Sequence, residues 1–107
     1  MYVDKCNQIS YTLTGMIKSF RHKGLAQFFS TGDVRRIQVK HARRLRQILT
    51  MLQAAGQIRQ MDAPGLRLHP LKGKEAGRWA VDVDENFRVT FRITEGHAYE
   101  VDYGGYH

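Results

Sequence analysis

The chain has 107 residues, with seventeen Lys and Arg against ten Asp and Glu, a formal charge of +7, 42% apolar residues and 25% charged residues. That length suits one compact domain with a modest core, and a single cysteine, Cys6, excludes an internal disulfide and fits a reducing cytoplasm. No apolar run is long enough for a membrane span or a signal-peptide core, and the Arg-rich excess charge points to a polyanionic partner.

Residues 1–15 show no helical period and are expected to form a loosely ordered extension, so the folded domain is expected to be 16–107. Residues 16–22, MIKSFRH, alternate loosely and predict a first strand broken by Gly24. Leu25, Phe28 and Phe29 recur at helical spacing and predict a short helix stopped at Ser30-Thr31-Gly32. The clearest helix is 38–55, where Val39, Ala42, Leu45, Ile48, Leu49, Leu52 and Ala55 form one apolar stripe. Lys40, Arg43, Arg44 and Arg46 lie off that stripe, and Gly56 stands where a left-handed terminating residue is wanted. Residues 57–65 read as a loop with a helical turn, ended by Pro64-Gly65.

From Leu66 onward the period becomes two. Alternation runs through 66–70, 79–84, 87–94 and 99–103, with breaks at Gly73–Gly77, Asp84–Asn86 and Glu95-Gly96. This predicts an antiparallel meander with one apolar and one polar face, the apolar face covered by the helices, hence an α+β domain. Trp79, Tyr99 and Tyr103 are assigned to the core. Arg88 and Arg92 fall on the polar face, with Asp82 and Asp84 on the neighbouring strand, where cross-strand ion pairs are expected, most of all for Arg92.

The histidines (22, 41, 69, 97 and 107) show no paired metal-ligand spacing, Gly73–Gly77 does not open a helix as a phosphate loop would, and no Ser sits in a nucleophile elbow. Metal-free RNA cleavage remains within reach, because the ribose 2′-OH is itself the nucleophile. The protein then needs only a base, an acid and cations for the charged transition state. His69, Lys72, Arg88, Tyr106 and His107 supply those residue types.

These residues carry a family likeness. From Met16 to His107 the sequence resembles the HigB toxins, or plasmid maintenance killer proteins, of the RelE/ParE superfamily. The matching stretches are MIKSFRHKGL, RLHPLKG at 67–73, ENFRVTF at 85–91 and the terminal Tyr106-His107. The resemblance implies a RelE-like α+β fold, with an N-terminal strand and two helices packed on a mainly antiparallel meander. It implies a cytoplasmic type II toxin that cleaves mRNA on the translating ribosome without metal or cofactor. A HigA-type helix-turn-helix antitoxin would neutralise it, and operator DNA would be met only through that antitoxin; no membrane is implied.

Carried over, His69 or His107 is the general base or acid, Lys72 and Arg88 clamp the scissile phosphate, and Tyr106 stacks on or hydrogen-bonds the substrate. The expected site is a positively charged hollow on the sheet. Two departures stand out: Phe87 precedes Arg88 where the family often has Trp, and Gly105 stands where it commonly has an acid before the tyrosine. Either that acid is dispensable, or Asp102 or the terminal carboxylate substitutes for it, or the activity is weakened. Two other readings fit the charge: a binding inhibitor like the gyrase-directed ParE branch, and a ribosome or nucleic-acid binder without catalysis.

Overall fold

A computed structural model describes residues 16–54 and 57–105. The extension 1–15, the terminator Gly56 and the pair Tyr106-His107 lie outside the described residues. Two helices, α1 (Lys23–Thr31) and α2 (Ala42–Ala54), precede four strands, β1 (His69–Pro70), β2 (Trp79–Asp82), β3 (Phe87–Thr94) and β4 (His97–Gly105). The strands form one antiparallel sheet in the order β1-β2-β3-β4.

α1 starts where the His22 ring accepts a hydrogen bond from the Leu25 amide, satisfying one of the helix's orphan donors. It stops at Gly32, whose φ of 80° lets its amide return to the Phe28 carbonyl. α2 follows a short 3₁₀ turn at Val39–His41 and buries Leu45, Ile48, Leu49 and Leu52, the centre of the stripe read in the sequence; Val39, counted in that stripe, lies in the 3₁₀ turn and is exposed. Those side chains meet Val81, Val89, Phe91 and Val101 on one face of the sheet, with Leu25 and Phe28 from α1. Each such side chain, removed from water, contributes about 1.5–3 kcal/mol. Helices on one face leave the other face of the sheet open.

The segment before α1 is not a regular strand. It lies parallel to β4 through two isolated bridges, Ile17↔Ala98 and Phe20↔Val101. Lys18 and Arg21 amides donate to the Ala98 and Val101 carbonyls, so the segment protects the β4 edge all the same.

Two readings of the alternation need correction. Leu66, Arg67 and Leu68 are not in a strand: Arg67 has φ 52°, and the strand proper is only His69–Pro70. Tyr99 is not core, because a bulge between Thr90 and Arg92 sets one extra residue into β4, and Glu100 takes φ 53°. Tyr99 therefore pairs with Arg92, whereas Tyr103 stays buried and Trp79 packs at the core margin.

Candidate functional site

The open face of the sheet carries the candidate residues. Cross-strand partners share a face, so the rows His69–Ala80–Thr90–Asp102 and Asp82–Arg88–Gly104 place His69, Asp82, Arg88, Thr90 and Asp102 on the side away from the helices. His69 on β1 and Arg88 on β3 are two strands apart and offset by two residues. Strand spacings put their Cα atoms about 12 Å apart, a gap their side chains and one nucleotide can span.

His69 is half-buried, and its Nδ1 donates to the Arg67 carbonyl at 2.7 Å. A carbonyl only accepts, so Nδ1 carries the proton and Nε2 of the neutral ring is left as the basic nitrogen. The left-handed backbone of Arg67 places that carbonyl there, a conformation unusual for a residue other than glycine. Sequence periodicity gives no signal for it.

Two hollows adjoin on this face. One, of about 490 Å³, is lined by Arg67, Leu68, His69, Asp82 and Glu85. The other, of about 220 Å³, is lined by Glu75, Arg88, Thr90, Asp102, Gly104 and Gly105. They meet at the paired residues Asp82 and Arg88. Lys72 lines neither; it is exposed just before the 3₁₀ turn Gly73–Glu75, whose Glu75 rims the second hollow. His69 and Arg88 thus share a face but not a single cavity. Tyr106 and His107 follow Gly105 in the chain and are outside the described residues.

Among the described residues, neither hollow is lined by the excess of cations expected from the sequence. Arg67 faces Asp82 at 3.5 Å and shares its hollow with Glu85, while Arg88 shares its own with Glu75 and Asp102. The acids arrive from a turn and from neighbouring strands, which no single stretch of sequence reveals. Beside them, buried Arg78 reaches Glu75 at 3.2 Å, Thr90 Oγ1 at 2.8 Å and the Glu100 carbonyl at 2.8 Å. Burial lowers its pKa from the usual arginine value, against which the neighbouring carboxylates act. Glu100 also pairs with Arg92 at 3.1 Å and Arg21 at 3.5 Å, so Arg92 is held in an ion-pair network. Among the described residues no group of three His, Cys, Asp or Glu side chains gathers as a metal site would require.

A second polar cluster lies beneath the turn that leads to Arg88. His41 is buried, with Nδ1 2.6 Å from the Tyr103 hydroxyl and Nε2 2.7 Å from Asp84 Oδ2. The carboxylate only accepts, so Nε2 donates, and in the neutral ring Nδ1 accepts from Tyr103. The other oxygen of Asp84 accepts from the Asn86 and Phe87 amides at 2.8 Å. His41 and these amides hold the Asp84 carboxyl below its ordinary pKa, and burial raises that of Tyr103. The cluster ties the start of α2 to the β2–β3 turn and to β4, next to where Arg88 and Gly104 pair.

Comparison with known proteins adds a family to this geometry. Residues 18–107 match the model of a family described as HigB-like toxin, a RelE-like toxin of the type II toxin-antitoxin system HigB. The chain is 37% identical over 92 residues, 86% of its length, to the whole of a Proteus vulgaris protein named Endoribonuclease HigB. Among solved structures, a YafQ mutant from E. coli aligns with a TM-score of 0.49 at 13% identity, over 86% of this chain and 93% of that one.

Proposed function

The chain belongs to the HigB-like family of RelE-like toxins, and from that membership we propose that it is an endoribonuclease that cuts mRNA on the translating ribosome until a HigA-type antitoxin restrains it. The observation that carries the chemistry is the tautomer of His69, whose Nδ1–H is committed to the Arg67 carbonyl while Nε2 is left to exchange a proton on the face that bears Arg88.

The reaction needs no protein nucleophile. The ribose 2′-oxygen attacks the adjacent phosphorus as its proton passes to a base, the bond from phosphorus to the 5′-oxygen breaks, and an acid protonates that oxygen. A 2′,3′-cyclic phosphate and a 5′-hydroxyl result. His69 and His107 take the base and acid roles, Lys72 and Arg88 hold the phosphate and stabilise its growing charge, and Tyr106 binds the substrate. Asp102, in the hollow with Arg88, stands in for the carboxylate missing at Gly105.

Expression without antitoxin tests this. Primer extension on cellular transcripts is expected to show new 5′ ends within translated frames for the native chain. These ends should fall by about 10²-fold or more in His69→Ala, Arg88→Ala and His107→Ala. Growth arrest with intact transcripts, and above all with inhibited supercoiling, would overturn the assignment in favour of a binding inhibitor.

A further inference from the structure

The excess positive charge of this protein lies away from its candidate site. From Lys23 to Met61, the helical half, there are eight Lys and Arg against a single acid, Asp33. The rest of the chain holds nine cations and nine acids. The whole formal +7 therefore belongs to the helical half, which covers one face of the sheet while His69 and Arg88 occupy the other.

Within that half the placement runs against helix stability. Lys40, Arg43, Arg44 and Arg46 crowd the start of α2, where the helix dipole favours acids and where no acid stands in the first turn. Arg43 and Arg46 are also like-charged neighbours one turn apart on α2, and Lys40 stands just before them in the 3₁₀ turn. Such breaches of local rules concentrate where function demands them. Lys40, Arg36, Arg43 and Arg46 are exposed. Arg46 lies over the Phe28 ring at 5.4 Å, and the neighbouring Phe29 keeps a ring partly open to solvent. Guanidinium groups interleaved with an open aromatic ring suit phosphates and unstacked bases better than they suit an acidic protein surface.

We infer that the helical layer is a second RNA-binding surface, which grips the phosphate backbone of structured RNA while the opposite face meets the strand to be cut. The choice of RNA as the polyanion rests on the function proposed above; the location of the surface does not. The division explains why carboxylates outnumber arginines in the lining of both hollows: affinity and chemistry reside on different faces.

The test is fluorescence anisotropy with a labelled RNA hairpin across a salt titration, comparing the native chain with Arg36→Gln/Arg43→Gln/Arg46→Gln and with Lys18→Gln/Lys74→Gln. The triple variant is expected to bind at least about tenfold more weakly at physiological salt. Its slope of log affinity against log salt should be shallower by about two to three. The Lys18/Lys74 variant should bind within about twofold of the native chain. The triple variant should stay folded and melt within a few degrees of the native chain, because relief of the Arg43–Arg46 repulsion offsets the lost Arg46–Phe28 contact, which separates lost binding from lost folding.

Unchanged hairpin affinity in the triple variant overturns the inference, as does a loss confined to binding of an acidic protein partner. The two proposals fail separately. Hairpin binding without transcript cleavage would leave this surface standing and remove the nuclease, and cleavage by a triple variant with native affinity would do the reverse.

Discussion

His41→Ala should cost this protein a large share of its stability. The substitution removes an imidazole that is 3% exposed, bonded at both nitrogens and packed against the rings of Phe87 and Tyr103. Tyr103, itself 8% exposed, loses the acceptor for its hydroxyl, and a buried donor left unpaired costs about 1–3 kcal/mol. Asp84 is partly open to water and recovers hydration, so it adds little to the loss. The vacated volume beside Phe87 adds about 1–2 kcal/mol. The total, about 2–5 kcal/mol, compares with a net stability of about 5–15 kcal/mol for a domain of ordinary size. Urea denaturation should show a lower midpoint at unchanged slope. Tyr103→Phe should then cost about 1 kcal/mol less in the His41→Ala background than alone, because the bond it removes is already gone. A loss below about 1 kcal/mol, or strict additivity of the two substitutions, would refute the reasoning that this cluster braces the turn before Arg88.

Three further outcomes follow. Arg88→Lys keeps the charge but loses the planar fork, and should slow cleavage by about ten- to hundredfold in a ribosome-coupled assay while RNA affinity stays within about threefold. His41 and the Asn86 and Phe87 amides hold the Asp84 carboxyl below its ordinary value in the folded state, so its stabilisation is full above the ordinary carboxylate range and fades as pH falls through the depressed folded value. Asp84→Asn should therefore lower stability at neutral pH and flatten the acid limb of a stability–pH curve; an acid limb of native steepness would contradict the assignment. Gly24→Ala should destabilise by about 1–3 kcal/mol in thermal melts, since a Cβ there would run into Arg36 and come within 3.0 Å of its carbonyl oxygen.

What could be read from the chain depended on whether local pattern and final geometry coincided. The stripe from Leu45 to Leu52 and the alternation from Phe87 to Thr94 were legible because neither is interrupted: one face of each is buried by the same core. The alternation failed at Tyr99, where the bulge at Glu100 adds a residue, and at Arg67, whose positive φ ends regular pairing although Leu66 still accepts from the Asp82 amide. The N-terminal segment pairs parallel to β4, and its two bridges are too sparse for a period to mark.

For the site, alternation was enough to set His69 and Arg88 on one face. It was not enough to give the sign of the hollow, because Glu75 comes from a turn and Asp102 from another strand. The His41 cluster joins residues 43 and 62 positions apart, a separation at which no spacing rule operates. The charge asymmetry between the two faces, by contrast, was present in the residue order and became visible only once the helices were known to share one side.

The most direct test of the proposed chemistry is a reporter mRNA carrying a single 2′-O-methyl group on the nucleotide at the mapped cut, translated in extract with the purified protein. If the 2′-oxygen is the nucleophile and His69 manages its proton, that site stays intact while unmodified message is cut to fragments ending in a 2′,3′-cyclic phosphate. Cutting of the methylated message at the same phosphate would contradict the account.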